Sequence, residues 1–260
     1  MSELLTIVRR LRSGKDGRPR SHMKSILSLA VLAALASSPL GYVGSAAGEE
    51  DGVALAIIYD TSGSMKDPVP DQLGGSTPKY VIANRALKAV ATQIQTFATN
   101  SAAGAPRKIQ TGLFVFQSEH ARAAIPMGPF DASTLRNWAA HFSSPSGNTP
   151  LGNALSAAGQ AVLESPLSRK HVLIITDGIN TAGPTPAAVL PRLNQQAQQK
   201  HSSLSVHFVA FDVDAKVFDP VKKQGATVVG AADEKQLNTQ LQFILQRKIL
   251  LEDEEPANKK

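Results

Sequence analysis

The stretch Val53-Ala54-Leu55-Ala56-Ile57-Ile58-Tyr59-Asp60-Thr61-Ser62-Gly63-Ser64-Met65 runs from apolar to polar in a single step. Its apolar half is nearly unbroken and too short for a typical helix, so it reads as a strand covered on both faces. The strand ends on an acid, and small hydroxyl residues follow at once. Such an ending places polar chemistry at the carboxyl end of a buried strand.

Working outward, strand-like runs alternate with segments of helical spacing. Residues 79–99 put Leu87, Val90, Ala91, Ile94 and Ala98 on one helical face. Residues 109–116 read as a second strand and 121–125 as a short third at the sheet edge. A helix is expected over 132–142, capped by Asp131 or Ser133. Thr149-Pro150 reads as a helix start, threonine at the cap and proline in the first turn. The helix it opens places Leu151, Ala154, Leu155, Ala158 and Val162 on one face. His171–Thr176 is another apolar strand, ending at Asp177-Gly178, and a helix over 186–199 precedes a strand over 205–211. Short elements at 217–223 and 227–229 lead to a last helix with Leu237, Leu241, Ile244 and Leu245 on one face. This alternation predicts an α/β fold: a doubly wound, mostly parallel sheet flanked by helices, with one short antiparallel edge strand. In open sheets of this kind ligands bind beyond the carboxyl ends of the strands. Two of the strands end in aspartate there, Asp60 and Asp177.

Asp60, Ser62 and Ser64 offer three oxygens from one tight turn, and Gly63 lets that turn bend without a side-chain penalty. Oxygen ligands suit a hard dication such as Mg²⁺. An ordinary Ser/Gly turn explains the same run equally well. The wider pattern goes further. An acid followed by serines at the second and fourth positions after it, at the end of a first apolar strand, resembles the metal-ion-dependent adhesion site of von Willebrand factor type A domains. That family adds a threonine from a later loop and an aspartate after the fourth strand, and Thr149 and Asp177 stand in those places. The resemblance spans roughly residues 52–250, and all five positions match.

The resemblance implies that Ser62 and Ser64 ligate the metal through their hydroxyls. Thr149 then binds directly or through water, and Asp60 and Asp177 act mostly through bound waters while orienting the serines. Mg²⁺ is the implied ion, with Mn²⁺ or Ca²⁺ as alternatives. Neutral hydroxyl ligands leave much of a dication's charge uncompensated, so it seeks an anion at its open position. The implied partner is therefore a protein that supplies a Glu or Asp carboxylate.

The rim of such a site falls on Lys66, Asp67, Asp71, His120 and Asn180. Residues 66–78 either fold over the site or simply connect to the next helix. His120 reads as a solvated turn residue more readily than as a helper of the metal. Asp212 and Asp214 form a second paired-acid motif, and solvation in the loop after the fifth strand is the simpler reading. The six histidines lack H-x-x-x-H or H-E-x-x-H spacing, which argues against a catalytic zinc. Neither a G-x-S-x-G elbow nor a phosphate-binding P-loop is present. A phosphotransferase of the haloacid dehalogenase type wants an aspartate where Ser62 stands. The chain is accordingly read as a binding protein, not an enzyme. The competing readings are a metal-dependent hydrolase or phosphatase using the same ion, and a subunit of a cytoplasmic ATPase-linked assembly.

Charge settles the question of nucleic acid. The 260 residues carry 27 Lys+Arg and 21 Asp+Glu, a formal charge of +6. Residues 1–47 hold seven of those bases and two of the acids, which leaves 20 against 19, or +1, for the rest. No basic stripe remains to read a phosphate backbone. From Met23, a lysine, an apolar run over 26–36 and small residues up to Ala47 have the layout of a secretory signal. The run is shorter than the ~20 residues a membrane span needs. The expected organisation is a basic extension over 1–22 that translation from Met23 would omit, and a signal peptide over 23–47. A von Willebrand factor A-type domain over 48–251 and a polar tail over 252–260 complete it. The implied location is exported, periplasmic or secreted. With 0 cysteines, the chain has no disulfide, thiolate metal site or lipid-anchored cysteine.

Overall fold

The computed structural model describes residues 49–100 and 107–251. The expected extension, signal peptide and polar tail lie outside the described residues. Strand β1 (Glu50–Tyr59) leads through a 3-10 turn at Gly63–Lys66 into a two-stranded hairpin, β2 (Pro68–Pro70) and β3 (Ser76–Pro78). Then come α1 (Lys79–Thr99), β4 (Ile109–Gln117), β5 (His120–Pro129), α2 (Ala132–His141) and α3 (Leu151–Leu163). The second half holds β6 (Leu167–Thr176), α4 (Pro186–Gln199), β7 (Ser205–Phe211), α5 (Asp219–Lys222), β8 (Thr227–Ala231) and α6 (Glu234–Ile244). The last helix continues into a π-helical turn, Leu245–Leu250.

The main sheet has six strands in the order β5-β4-β1-β6-β7-β8. Every neighbouring pair is parallel except β4 with β5, so the expected α/β architecture holds, antiparallel edge included. That edge strand is longer than the sequence suggests, because β5 pairs with β4 from His120 opposite Gln117 to Pro129 opposite Gln110.

The central strand divides the core by its period of two. Val53, Leu55, Ile57 and Tyr59 face α1, α2 and α6, while Ala54, Ala56 and Ile58 face α3 and α4. The second face is built of smaller residues, which lets α3 approach closely. A Cβ on Gly152 would run into the backbone of Pro184, and one on Gly159 would press on the Leu193 side chain at 2.6 Å. On the first face the Tyr59 hydroxyl donates to Asn84 Oδ1 at 2.8 Å, and Asn84 Nδ2 donates to the Phe142 carbonyl at 2.8 Å. The Tyr59 ring meets Trp138 and Phe142 edge-on. These contacts brace the end of β1 against α1 and α2, one residue before Asp60. Among the described residues no helix is long and apolar enough to cross a membrane.

Two local expectations change. Thr149 does not cap α3: the helix starts at Leu151 with Pro150 before it and no side-chain cap. The backbone of Thr149 is instead tied to Thr181 in the loop after β6. Gly63 does not need left-handed backbone. It opens the 3-10 turn, and its N–H donates to the Gly147 carbonyl at 3.1 Å.

Candidate metal centre

Asp60 follows β1 and is wholly buried. Its Oδ1 accepts the Ser62 N–H at 2.8 Å, and its Oδ2 accepts the Thr176 hydroxyl at 2.6 Å. On the neighbouring strand Thr176 stands level with Asp60, and Asp177 follows it directly after β6. Asp177 Oδ1 accepts the Ser64 hydroxyl at 2.9 Å, and Ser62 Oγ lies 3.1 Å from Ser64 Oγ. A hydroxyl has one proton to give. With that of Ser64 committed to Asp177, Ser64 has only acceptor capacity left, while the Ser62 hydroxyl lies within reach of both Ser64 and Asp60.

Thr149 arrives from the loop before α3. Its N–H donates to Thr181 Oγ1 at 2.8 Å, and its carbonyl accepts the Thr181 N–H at 3.0 Å. A Cβ built on Gly178 would stand 3.7 Å from Thr149 Oγ1 and 4.0 Å from Ser64 Oγ, so both hydroxyls border the space over this glycine. Four of the five expected positions thus form one hydrogen-bonded group, and Thr149 flanks it across Gly178.

The electrostatics follow from burial. Loss of water around Asp60, and next the charge of Asp177, push its carboxyl up to about 6, against hydrogen bonds from Ser62 and Thr176 that lower it. Among the described residues no cation pairs with Asp60. Its charge therefore lacks the compensation that buried charges ordinarily find. A cation at the hydroxyl-lined gap would supply it. The donors are all oxygens, two carboxylates and three hydroxyls, and among the described residues no cluster of three or more histidine, aspartate and glutamate side chains stands ready for a metal. Such a set fits a hard dication and not a soft one.

Around this group the expected rim residues fare differently. Lys66, Asp67 and His120 are exposed. The Asp71 carboxylate is used internally: it accepts the N–H groups of Leu73 and Gly75 and the hydroxyl of Thr77, and so builds the β2–β3 turn. Residues 66–78 are therefore a defined hairpin, fastened to the start of α6 where Gln72 N–H donates to Glu234. Leu73 projects at its tip, 94% exposed. The Asn180 amide is likewise engaged, accepting the Gly152 N–H and donating to the Gly183 carbonyl.

Three residues that the sequence reading left out belong to this end of the sheet. Thr176 holds Asp60, and Thr181 holds Thr149. Buried Lys79 contacts Asp177 Oδ2 at 3.1 Å and Asp212 Oδ2 at 3.0 Å. Burial alone would lower the Lys79 ammonium, yet its bonds to Asp212 and Asp177 keep it above its ordinary value. Asp212, read from sequence as solvated, is exposed and also pairs with Lys79, and Asp214 caps the 3-10 turn after β7 through the Lys216 N–H.

Residues 55–180 match the family model of the von Willebrand factor type A domain. The fold is that of a von Willebrand factor A-type domain. Among solved structures, proximal thread matrix protein 1 from the mussel byssus superposes on this chain with a TM-score of 0.55 and 15% identity. That match covers 76% of this chain and 48% of the mussel protein, which has also been solved with a zinc-occupied MIDAS motif. The PilB minor pilin from Streptococcus sanguinis gives 0.55 and 15%, over 75% of this chain and 60% of its own. The von Willebrand factor domain of the type V pili tip protein Mfa5 from Porphyromonas gingivalis gives 0.53 and 12%, over 75% and 94%. The chain thus spans less than two thirds of the mussel protein and of the minor pilin. The curated proteins contain no match.

Proposed function

We propose that this protein is an exported bacterial binding protein whose A-type domain holds a divalent cation on Asp60, Ser62, Ser64, Thr149 and Asp177. The observation that carries the reading is the hydrogen-bonded run of Ser62, Ser64 and Asp177 beside a buried Asp60 that has no cationic partner among the described residues. Mg²⁺ is the ion of choice, and Mn²⁺ or Ca²⁺ fit the same oxygens. When bound, the ion supplies a positive charge that its hydroxyl ligands leave incompletely neutralised, open to a Glu or Asp carboxylate of a partner protein. The chain's own residues do the rest. Asp177 accepts the Ser64 hydroxyl and orients it, Thr176 and the Ser62 N–H fix Asp60, and Thr181 fixes Thr149. Lys66, Asp67 and His120 border the approach, as do the hairpin bearing Asp71 and the loop bearing Asn180. The zinc-occupied site of the mussel protein and the pilus setting of two neighbours support a metal-bearing role in adhesion or assembly.

The same proposal assigns residues 23–47 to a signal peptide and 48–251 to the mature domain, with a partly omitted extension before and a polar tail after. Export predicts that the protein recovered outside the cytoplasm begins at Gly48. A product that starts at Met1 or Met23 would overturn that assignment.

The metal reading is tested by calorimetry with Mg²⁺ and by capture of partners from the exported fraction with and without EDTA. Asp60→Ala and Ser62→Ala are expected to weaken Mg²⁺ binding at least tenfold and to abolish EDTA-sensitive capture. Unchanged capture by these variants would sink the mechanism. Turnover of generic phosphate esters that depends on Asp60 would favour a hydrolase instead, and the binding reading expects none.

A further inference from the structure

The ion pair that joins Lys79 to Asp177 places a protein cation beside the group proposed to hold a metal. Lys79 begins α1, and its side chain is 6% exposed. Its N–H donates to the Asp67 carbonyl at 3.0 Å, so the residue is anchored where the hairpin returns to the site. The ammonium divides itself between two carboxylates, Asp177 Oδ2 at 3.1 Å and Asp212 Oδ2 at 3.0 Å. Asp177 is buried, whereas the Asp212 side chain is 42% exposed. Asp212 sits at φ +54°, a left-handed conformation that aspartate tolerates, with its N–H on the Ala231 carbonyl at 2.7 Å. Backbone geometry at the end of β7 thus holds the Asp212 carboxylate on the outer side of Lys79.

We infer that Lys79 is an internal counter-cation that sets how tightly the site holds a dication, with Asp212 as its rim-side regulator. The inference rests on the metal reading given above. Lys79 neutralises part of the Asp177 charge that a metal would otherwise receive. The site then binds the ion less tightly but leaves it more electrophilic toward an external carboxylate. Asp212 draws some of the Lys79 charge away from Asp177, and so moves the balance the other way. Lys79 is a positioning residue in this scheme, acting on the ion through Asp177.

The two roles of Lys79, charge and scaffold, separate by sign. Without its charge, Lys79→Gln keeps a hydrogen-bond donor near Asp177 and is expected to bind Mg²⁺ about tenfold more tightly, the scale of one nearby charge at a protein surface. The loaded variant should bind acetate, a minimal carboxylate probe, more weakly than wild type. Asp212→Asn leaves Lys79 wholly to Asp177 and is expected to do the opposite, weakening Mg²⁺ by about threefold to tenfold and strengthening acetate. Lys79→Arg, which keeps the charge, should stay near wild type in both. A merely structural Lys79 would instead lower the melting temperature and weaken Mg²⁺ in Lys79→Gln.

The experiment is Mg²⁺ calorimetry on the full chain, followed by acetate titration of the loaded protein watched by NMR. Tighter Mg²⁺ in Lys79→Gln with weaker Mg²⁺ in Asp212→Asn supports the inference. Equal or weaker Mg²⁺ in Lys79→Gln, with a wild type that binds, overturns it. If Lys79→Gln does not fold, the partly exposed Asp212→Asn decides alone, and unchanged Mg²⁺ affinity there overturns the inference. A wild type that binds none of Mg²⁺, Mn²⁺ or Ca²⁺ removes the metal reading and this inference together.

Discussion

Thr176 shows how much of the candidate centre depends on a residue that ligates nothing. It ends β6, and its hydroxyl donates to Asp60 Oδ2 at 2.6 Å while accepting the Gly178 N–H at 3.3 Å. Thr176→Val preserves shape and strand propensity but takes a donor from a carboxylate that water cannot reach. Leaving such a group short of a partner costs about 1–3 kcal/mol. The same hydrogen bond helps hold Asp60 down against burial, so its loss moves the carboxyl further above about 6. More of Asp60 is then protonated at neutral pH. The expected outcome is a lower melting temperature together with weaker Mg²⁺ binding at pH 7 that recovers as the pH is raised. A variant with wild-type melting and affinity would show that Asp60 does not depend on this bond. Asp60, Ser62 and Ser64 were legible in the sequence because they fall within five consecutive residues. Thr176 was not, since as a strand-end threonine it looks like β-propensity alone. The Lys79–Asp212 pair was hidden for a different reason: α1 and the end of β7 are distant in the chain and meet only through the sheet order.

At the scale of elements, α3 is the part most constrained by its neighbours. Thr149 and Pro150 read as a helix cap, but the helix starts at Leu151; the loop before it is bound to Thr181, and its first turn to Asn180 through Gly152. The sequence carries the helix and its buried face; the direction of the threonine is decided by a loop after β6 that only the fold brings near. Close docking of α3 on that loop depends on Gly152. Alanine there would gain up to about 1 kcal/mol of helix propensity. Its Cβ, however, would collide with the Pro184 carbonyl, a backbone atom that cannot swing aside. Overpacking of this sort costs about 1–3 kcal/mol or more, so Gly152→Ala is expected to be net destabilising. Gly159→Ala is the contrast, because its Cβ would meet the end of the Leu193 side chain, which can repack. Urea unfolding should therefore place Gly152→Ala below Gly159→Ala, and the reverse order would mean that α3 has room at its start. The hairpin over 68–78 teaches a related lesson. Its three-residue strands are too short to announce themselves by alternation, and Asp71 organises the turn through bonds that spacing does not display.

Over the whole molecule, the sheet separates two ionisable systems. The oxygen cluster occupies the carboxyl ends of β1 and β6, while His171 and His207 are buried toward the opposite end of β6 and β7. The imidazoles stack at 5.6 Å between centroids, with His171 Nδ1 and His207 Nε2 3.3 Å apart. Burial first, then the neighbouring His207 and Arg169, lowers His171 to about 3; burial and Lys248 lower His207 to about 4. No described carboxylate enters among the causes of either shift. In the unfolded chain both groups titrate near 6.5, so between that value and their folded values the unfolded state binds more protons. Stability contributed by the pair is therefore complete above about pH 6.5 and is lost progressively as pH falls toward 4. Asp60 acts in the other direction, since a carboxyl raised to about 6 favours the folded state at lower pH. Comparing wild type with His207→Phe cancels the Asp60 contribution, because both proteins contain it, and phenylalanine can keep the stack. From pH 7.5 to pH 4.5 wild type should lose about 2–5 kcal/mol that is attributable to the pair, and the variant roughly half as much. Urea unfolding across that range reads the difference directly, and parallel curves for the two proteins would refute the assignment.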